Sequence, residues 1–287
     1  MKKVVRMLGL CALVALAFTS CKKNDDTNKV TFKATAIQSS DQNRTYMDDS
    51  RYWVLWDDND EITVFNNAGE NPIVCPVISD YDKLTATFEG DGAYLANLAT
   101  ESYTAFYPAS IDGGNVTMNI PATQQYVKNG FQDELFPMYA VNGGANGDDF
   151  QFATDAGLLG IVLKTAGNAT KDYTISQIVV EAEDTNDELV GTMVYPYDAP
   201  VTGANYTVTS PSYQVTLQDC ASEGALSRTD FRYYYFVLLD GALAGNFTVT
   251  ITTTDNEVIT LNSSAADHDP IVKGKKLMMD SYSLGAN

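Results

Sequence analysis

Residues 51–65, RYWVLWDDNDEITVF, set Asp57, Asp58, Asp60 and Glu61 almost side by side. Carboxylates this dense can ligate a hard cation, form an acid–base pair across a glycosidic bond, or bond to nearby backbone groups and close a turn. The EF-hand spacing is not met, since that loop needs a Gly at its sixth position and a Glu at its twelfth. DTNDE at 184–188 has the same defect, so only a looser calcium site stays open. Glycoside hydrolysis needs two carboxyls facing each other across a cleft. In a chain with 37 acidic residues nothing in the sequence singles out such a pair. The turn accounts for more of the stretch. Trp53 and Trp56 precede the acids, Ile62 and Val64 follow in strand alternation, and Asp and Asn tolerate the left-handed conformations a turn needs.

Other chemistry is poorly supplied. His268 is the single histidine, so a His-rich zinc site is excluded and any His-based triad would have to use it. It lies in AADHDP, a polar turn before a proline. There is no Gly-rich phosphate loop, no nucleophile elbow and no Cys–His cluster. The expectation is a protein without catalytic residues, metal or cofactor. Of the four cysteines, Cys11 and Cys21 sit near the N-terminus, and Cys75 and Cys220 are far apart. Two cysteines make no disulfide framework. An export compartment permits a bridge, but two separate buried thiols is the favoured reading.

The elements that would carry these residues read as strands. Tyr and Thr are abundant and Gly and Asn punctuate the joints. VTFKATA sets Val30, Phe32, Ala34 and Ala36 against Thr31, Lys33 and Thr35, a half-buried strand. EITVF, LTATF, SYTAFY and NVTMNI repeat the pattern, with turns between them. Only DGAYLANLA suggests a short helix. NGGANGDD, from residue 142, reads as a connection. Beyond it come GLLGIVLK, YTISQIVVEAE, ELVGTMVY, YQVTL, RYYYFVLL, FTVTITT, EVITL and KLMMDSYSL. RYYYFVLLDG is apolar on both faces, which predicts a central, doubly covered strand. The fold class expected is all-β, two consecutive β-sandwiches, residues 29–147 and 148–287. The formal net charge of −19 argues against a nucleic-acid partner.

Residues 1–20 have the form of a signal peptide. Lys2, Lys3 and Arg6 precede the apolar run MLGLCALVALAF, which is too short for a stable membrane span. FTSC then resembles the lipobox of a bacterial lipoprotein, with Cys21 the acylated residue; the alternative is an ordinary signal peptide with an incidental Cys. Residues 21–28 read as a linker. KKNDD within it resembles the surface-export signal of lipoproteins in anaerobic Gram-negative bacteria, or is simply a solvated segment.

Several stretches, taken in order, resemble fimbrillin-like proteins, the subunits of type V pili. WDDNDEITVF is similar to their Trp–Asp-x-Ile opening, VTFKATA to their first strand, and NRT follows it. YTAFYP, the Pro-x-x-Gln of IPATQQY, and LFPMYA match further strands. FQFATDAGLLGIVLK looks like the start of their second domain, and FRYYYFVLLDG and IVKGKKLMM like their closing strands. The likeness covers residues 29 to 284.

That resemblance implies two transthyretin-like β-sandwich domains, a lipoprotein precursor held in the outer membrane at the cell surface, and assembly with other fimbrial subunits. In the family's stalk subunits an Arg-specific protease cuts after the first strand, and a donor strand from another subunit fills the groove. Arg44, in SSDQNRTYMDDS, fits that position better than Arg51. One departure stands out: only GAN follows the expected last strand. Either KLMMDSYSL is itself the donor, or the protein is a tip, an anchor or a non-polymerising relative. A different class of function, a monomeric surface lipoprotein binding a host or glycan ligand through exposed Tyr and Trp, is the alternative.

Overall fold

The computed structural model describes residues 29–36, 56–66, 72–80, 84–91, 102–112, 115–143, 149–195 and 206–286. Residues 1–20, Cys21, Arg44, Trp53 and most of DGAYLANLA lie outside them. Just over half of the described residues lie in strands, and no α-helix occurs among them. The first strands are β1 (Lys29–Thr35), β2 (Glu61–Asn66), β3 (Ile73–Ser79), β4 (Thr85–Asp91) and β5 (Ser102–Tyr107). Then come β6 (Ser110–Asp112), β7 (Asn115–Ile120), β8 (Thr123–Gln125), β9 (Met138–Gly143), β10 (Asp149–Gln151) and β11 (Ala153–Thr154). The series continues with β12 (Ala156–Thr165), β13 (Ile175–Ala182), β14 (Val190–Tyr195), β15 (Thr207–Ser212) and β16 (Gln214–Gln218). It closes with β17 (Arg232–Leu239), β18 (Phe247–Thr253), β19 (Val258–Ser263), β20 (Lys276–Met278) and β21 (Tyr282–Leu284). A short 3-10 turn occupies Cys220–Glu223.

Four sheets result. The largest has eight strands in the order β10-β1-β4-β3-β2-β5-β9-β11. A second is β17-β12-β20, with β21 also on β12; the third is β19-β18-β13-β16-β8 and the fourth β15-β14-β7-β6. The all-β class expected from the sequence is what forms. The connectivity is more interleaved than a strictly consecutive reading suggests. β10 and β11 belong to the sheet of β1, while β7 pairs with β14 and β8 with β16.

Alternation in the sequence becomes alternation in burial. In β1, Phe32 and Ala34 are fully buried while Thr31 and Lys33 face solvent. β18 alternates in the same way over its whole length. β12 and β17 differ: nearly every side chain of β12 is buried, as are the last six of β17, so both faces of each strand are covered. The expectation that RYYYFVLL is central needs correcting. β12 holds the middle of that sheet and β17 lies at its margin. Period-2 patterning reports which faces are covered and is blind to which edges are paired.

Candidate assembly site

The acidic stretch resolves into a turn with one committed member. Asp57 and Asp58 are exposed, whereas Asp60 is buried. The Tyr107 hydroxyl donates to Asp60 Oδ1 at 2.6 Å, and the Asp57 backbone N–H donates to Oδ2 at 2.6 Å. The Asp60 carbonyl in turn accepts from Val77 N–H at 2.9 Å. Burial pushes the Asp60 carboxyl above its ordinary range, against the lowering effect of the Tyr107 bond. Burial, and then that carboxylate, raise the Tyr107 hydroxyl. The composition of the stretch foretold the turn; the carboxylate's anchoring to Tyr107 in β5, far along the chain, left no local signal. Among the described residues no group of three or more His, Cys, Asp or Glu is gathered so as to hold a metal ion.

The turn delivers Trp56 into the core. Its ring packs edge-on against Phe88, Tyr107 and Phe152, with centroids 5.0, 5.1 and 5.3 Å away. Its indole Nε1–H donates to the Ala34 carbonyl at 2.9 Å. The Trp–Asp segment therefore serves β1: it supplies a buried wall and a hydrogen bond to that strand's backbone.

β1 is an internal strand. It runs antiparallel to β4 from Lys29↔Asp91 to Thr35↔Thr85, and parallel to β10 from Lys33↔Asp149 to Thr35↔Gln151. Phe152 N–H reaches the Thr35 carbonyl at 3.0 Å and Ala36 N–H the Leu84 carbonyl at 2.8 Å. An ion pair joins Lys29 to Glu89 at the far end. Inward, Phe32 meets Phe150 with ring centroids 5.3 Å apart. Withdrawal of β1 would leave unpaired backbone on β4 and β10, orphan the Trp56 N–H, and open an apolar slot walled by Ala86, Phe88 and Phe150.

The C-terminal segment is the second extended piece. KLMMDSYSL lies along β12 as two short parallel ladders, Leu158↔Lys276 to Gly160↔Met278 and Leu163↔Tyr282 to Thr165↔Leu284. Glycines make room for it. A Cβ on Gly157 would stand 2.7 Å from the Val272 carbonyl oxygen, and one on Gly160 would stand 2.3 Å from Met278 Sδ. Just ahead of it, Lys273 Nζ bonds Asp155 Oδ1 at 3.1 Å, and the Tyr195 hydroxyl donates to Asp155 Oδ2 at 2.8 Å. Asp155 is only 1% exposed. The Asp155 carboxylate holds the Lys273 ammonium above its usual range. Burial, followed by Asp155, raises the Tyr195 hydroxyl. Around them Phe65, Phe106, Tyr195 and Tyr206 form a chain of ring contacts from the eight-stranded sheet to β14 and beyond.

Gln124, from the Pro-x-x-Gln segment, has a structural task. Its side chain is fully buried. Nε2 donates to the Val237 carbonyl at 2.8 Å, and Oε1 accepts from Val237 N–H at 3.0 Å. One amide thus imitates a neighbouring strand and seals the margin of β17.

The remaining candidates are quiet. Cys75 and Cys220 are buried, unbridged thiols, each pushed up to about 12 by burial, so neither forms a thiolate readily. His268 packs its ring on Phe247, and its Nδ1 lies 3.1 Å from the Asp269 carbonyl. Two open clefts carry tyrosines beside carboxylates. One, of about 510 Å³, includes Asp184, Glu188, Tyr206 and Asp240; the other, of about 680 Å³, includes Glu181, Tyr213, Asn246 and Asp267.

No family model matches the sequence, and no curated protein does. Solved structures do. A candidate cell adhesion protein from Bacteroides ovatus superposes with a TM-score of 0.51 at 12% identity, over 88% of this chain and 91% of that one. A fimbrial assembly protein from Parabacteroides distasonis gives 0.39 at 8% identity, over 88% and 90%. A candidate adhesin from Bacteroides ovatus gives 0.40 at 8%, over 89% of each. What the first of them establishes for this chain is its fold.

Proposed function

We infer that this chain is a structural and adhesive subunit of a surface fimbria, exported as a lipoprotein through Cys21 and joined to its neighbours by strand exchange. The observation that carries the reading is the setting of β1. It is an internal strand, clamped by β4, β10 and Trp56, and the segment that follows it contains Arg44. A cut there would leave β1 held only by non-covalent contacts, and its loss would expose a slot with unpaired backbone on both sides. Another subunit's strand would satisfy both requirements. The shared fold with a candidate cell adhesion protein supports the same reading. KLMMDSYSL already lies on β12 of its own chain, so serving as donor would require it to leave that ladder.

The test is limited digestion of residues 22–287 with an Arg-specific protease, followed by mass spectrometry and gel filtration. Cutting at Arg44, release of β1 and association of the product are expected. A chain that resists cutting there, or whose cut product neither sheds β1 nor associates, is not a polymerising subunit. The anchor is tested separately: Cys21→Ala should move the protein out of the membrane fraction. The clefts keep a glycan-binding role as the second reading, and a glycan array separates it from the first.

A further inference from the structure

Sheet edges are where chains meet, because an edge strand presents unpaired N–H and C=O groups. Among the described residues nearly every edge of this protein is blunted. β6, β8, β10, β20 and β21 are three residues long and β11 is two. β17 is long, but the Gln124 side chain occupies both backbone groups of Val237. β15 is broken by a register shift opposite β14, by Ser210 at φ 51° and by Pro211. β19 differs from all of these.

β19 pairs with β18 in unbroken register from Phe247↔Ser263 to Thr252↔Val258, and no described strand pairs with its other side. Its sequence, VITLNS, contains no charge, no proline and no glycine. Val258 is 60% exposed, and Ile259 and Leu261 are only partly buried where they meet the core. In a chain of net charge −19 an uncharged regular edge is the place where a second copy meets least repulsion.

We propose that β19 pairs with β19 of a second copy, antiparallel about a two-fold axis at Thr260, joining two five-stranded sheets into one. Core-facing residues must meet core-facing residues across such a pair, which restricts the register to axes passing through a residue. An axis at Thr260 sets Ile259 opposite Leu261, Val258 opposite Asn262 and Thr260 opposite itself. An axis at Leu261 would set Ile259 against Ser263, and an axis at Ile259 would set Glu257 against Leu261. Only the Thr260 axis matches apolar with apolar on the core face and threonine with threonine on the outer face. It also places Glu257, already paired with Lys171 at 2.6 Å, opposite the neutral Ser263. No carboxylate faces another across the pair. The contact is a single strand pair, smaller than the interface area of about 1,200 Å² typical of stable complexes, so the dimer is concentration-dependent. It needs no cut at Arg44 and leaves the slot of β1 untouched.

The experiment uses the full chain. Thr260→Cys brings two Cα atoms to about 5 Å across the axis, within disulfide reach. Val258→Cys leaves its two copies about 13 Å apart along the strands, beyond reach. Mild oxidation should yield a disulfide dimer from Thr260→Cys, whereas Val258→Cys should stay at the background set by the parent chain's own cysteines. In sedimentation velocity the parent should associate as concentration rises, and Thr260→Lys, which opposes two ammonium groups, should remain monomeric. The proposal is overturned if both cysteine variants cross-link alike, if neither exceeds the parent, or if Thr260→Lys leaves a parent dimer intact.

Discussion

Gln124 offers the most direct test of how the fold closes its edges. Replacing it with methionine keeps the length and the apolar stem but removes both the donor and the acceptor. Val237 N–H and C=O would then lose their partners where the Gln124 side chain is wholly buried. Each unsatisfied buried group costs about 1–3 kcal/mol, so the pair should cost about 2–6 kcal/mol. For a chain of this size each kcal/mol moves the melting temperature by about 2–4 °C, giving a fall of about 4–24 °C. Gln124→Glu divides the effect by pH. At pH 7 an ionised carboxylate still accepts from Val237 N–H but offers no proton to the carbonyl. A protonated carboxyl restores the second bond, and burial favours that neutral form, so the Glu variant should recover as pH falls from 7 to 4. Thermal melts followed by circular dichroism, with the parent chain at each pH as reference, read both effects. A methionine variant melting within about 1 °C of the parent would refute the edge-sealing argument, as would a glutamate variant indifferent to pH.

Three further outcomes are expected. Lys273→Met leaves the buried Asp155 with Tyr195 as its remaining side-chain partner. It should cost about 1–3 kcal/mol at pH 7, less than the roughly 3–5 kcal/mol for breaking a fully buried pair because Lys273 is 39% exposed. Since the folded pKa of Lys273 lies above the ordinary 10.5, its contribution is full below that value and is lost as pH rises beyond it. Melts between pH 8 and 12 should therefore show a decline in the parent that is smaller in the variant. Tyr107→Phe removes a bond to a buried carboxylate and should cost about 1.5–3 kcal/mol at pH 7, measured by urea unfolding. Gly157→Ala drives a methyl against the Val272 carbonyl and should destabilise by about 1–3 kcal/mol, with faster amide exchange in residues 271–279 as the local readout.

The strand content was legible because alternation survives translation into burial: β1, β7 and β18 each bury the residues their period-2 pattern marks. What escaped has physical causes. β3 was hidden by Pro76, which sits at the last pair of its ladder with β2 and beside the register shift between Val77 and Ser79. β15 was hidden in the same way by Pro211. β10 and β11 are too short to show a period. At the candidate site, Trp56 and the Asp57–Asp60 turn were readable locally. The Asp60–Tyr107, Asp155–Lys273 and Gln124–Val237 bonds join residues far apart in sequence, and no window along the chain registers such pairs.

The interleaving of the sheets also governs the order in which the protein can be finished. β7 waits for β14 at residues 190–195, β8 waits for β16 at 214–218, and β12 is closed only by residues 276–284. A chain arriving N-terminus first therefore cannot complete its early strands as it emerges. Pairings across such separations form slowly, and unpaired strands are prone to misassociation until they do. The vulnerable species is the half-delivered chain, with β7 paired only to the three-residue β6 and β8 still unmatched, and anything that escorts it must keep those strands apart until the C-terminal ones arrive.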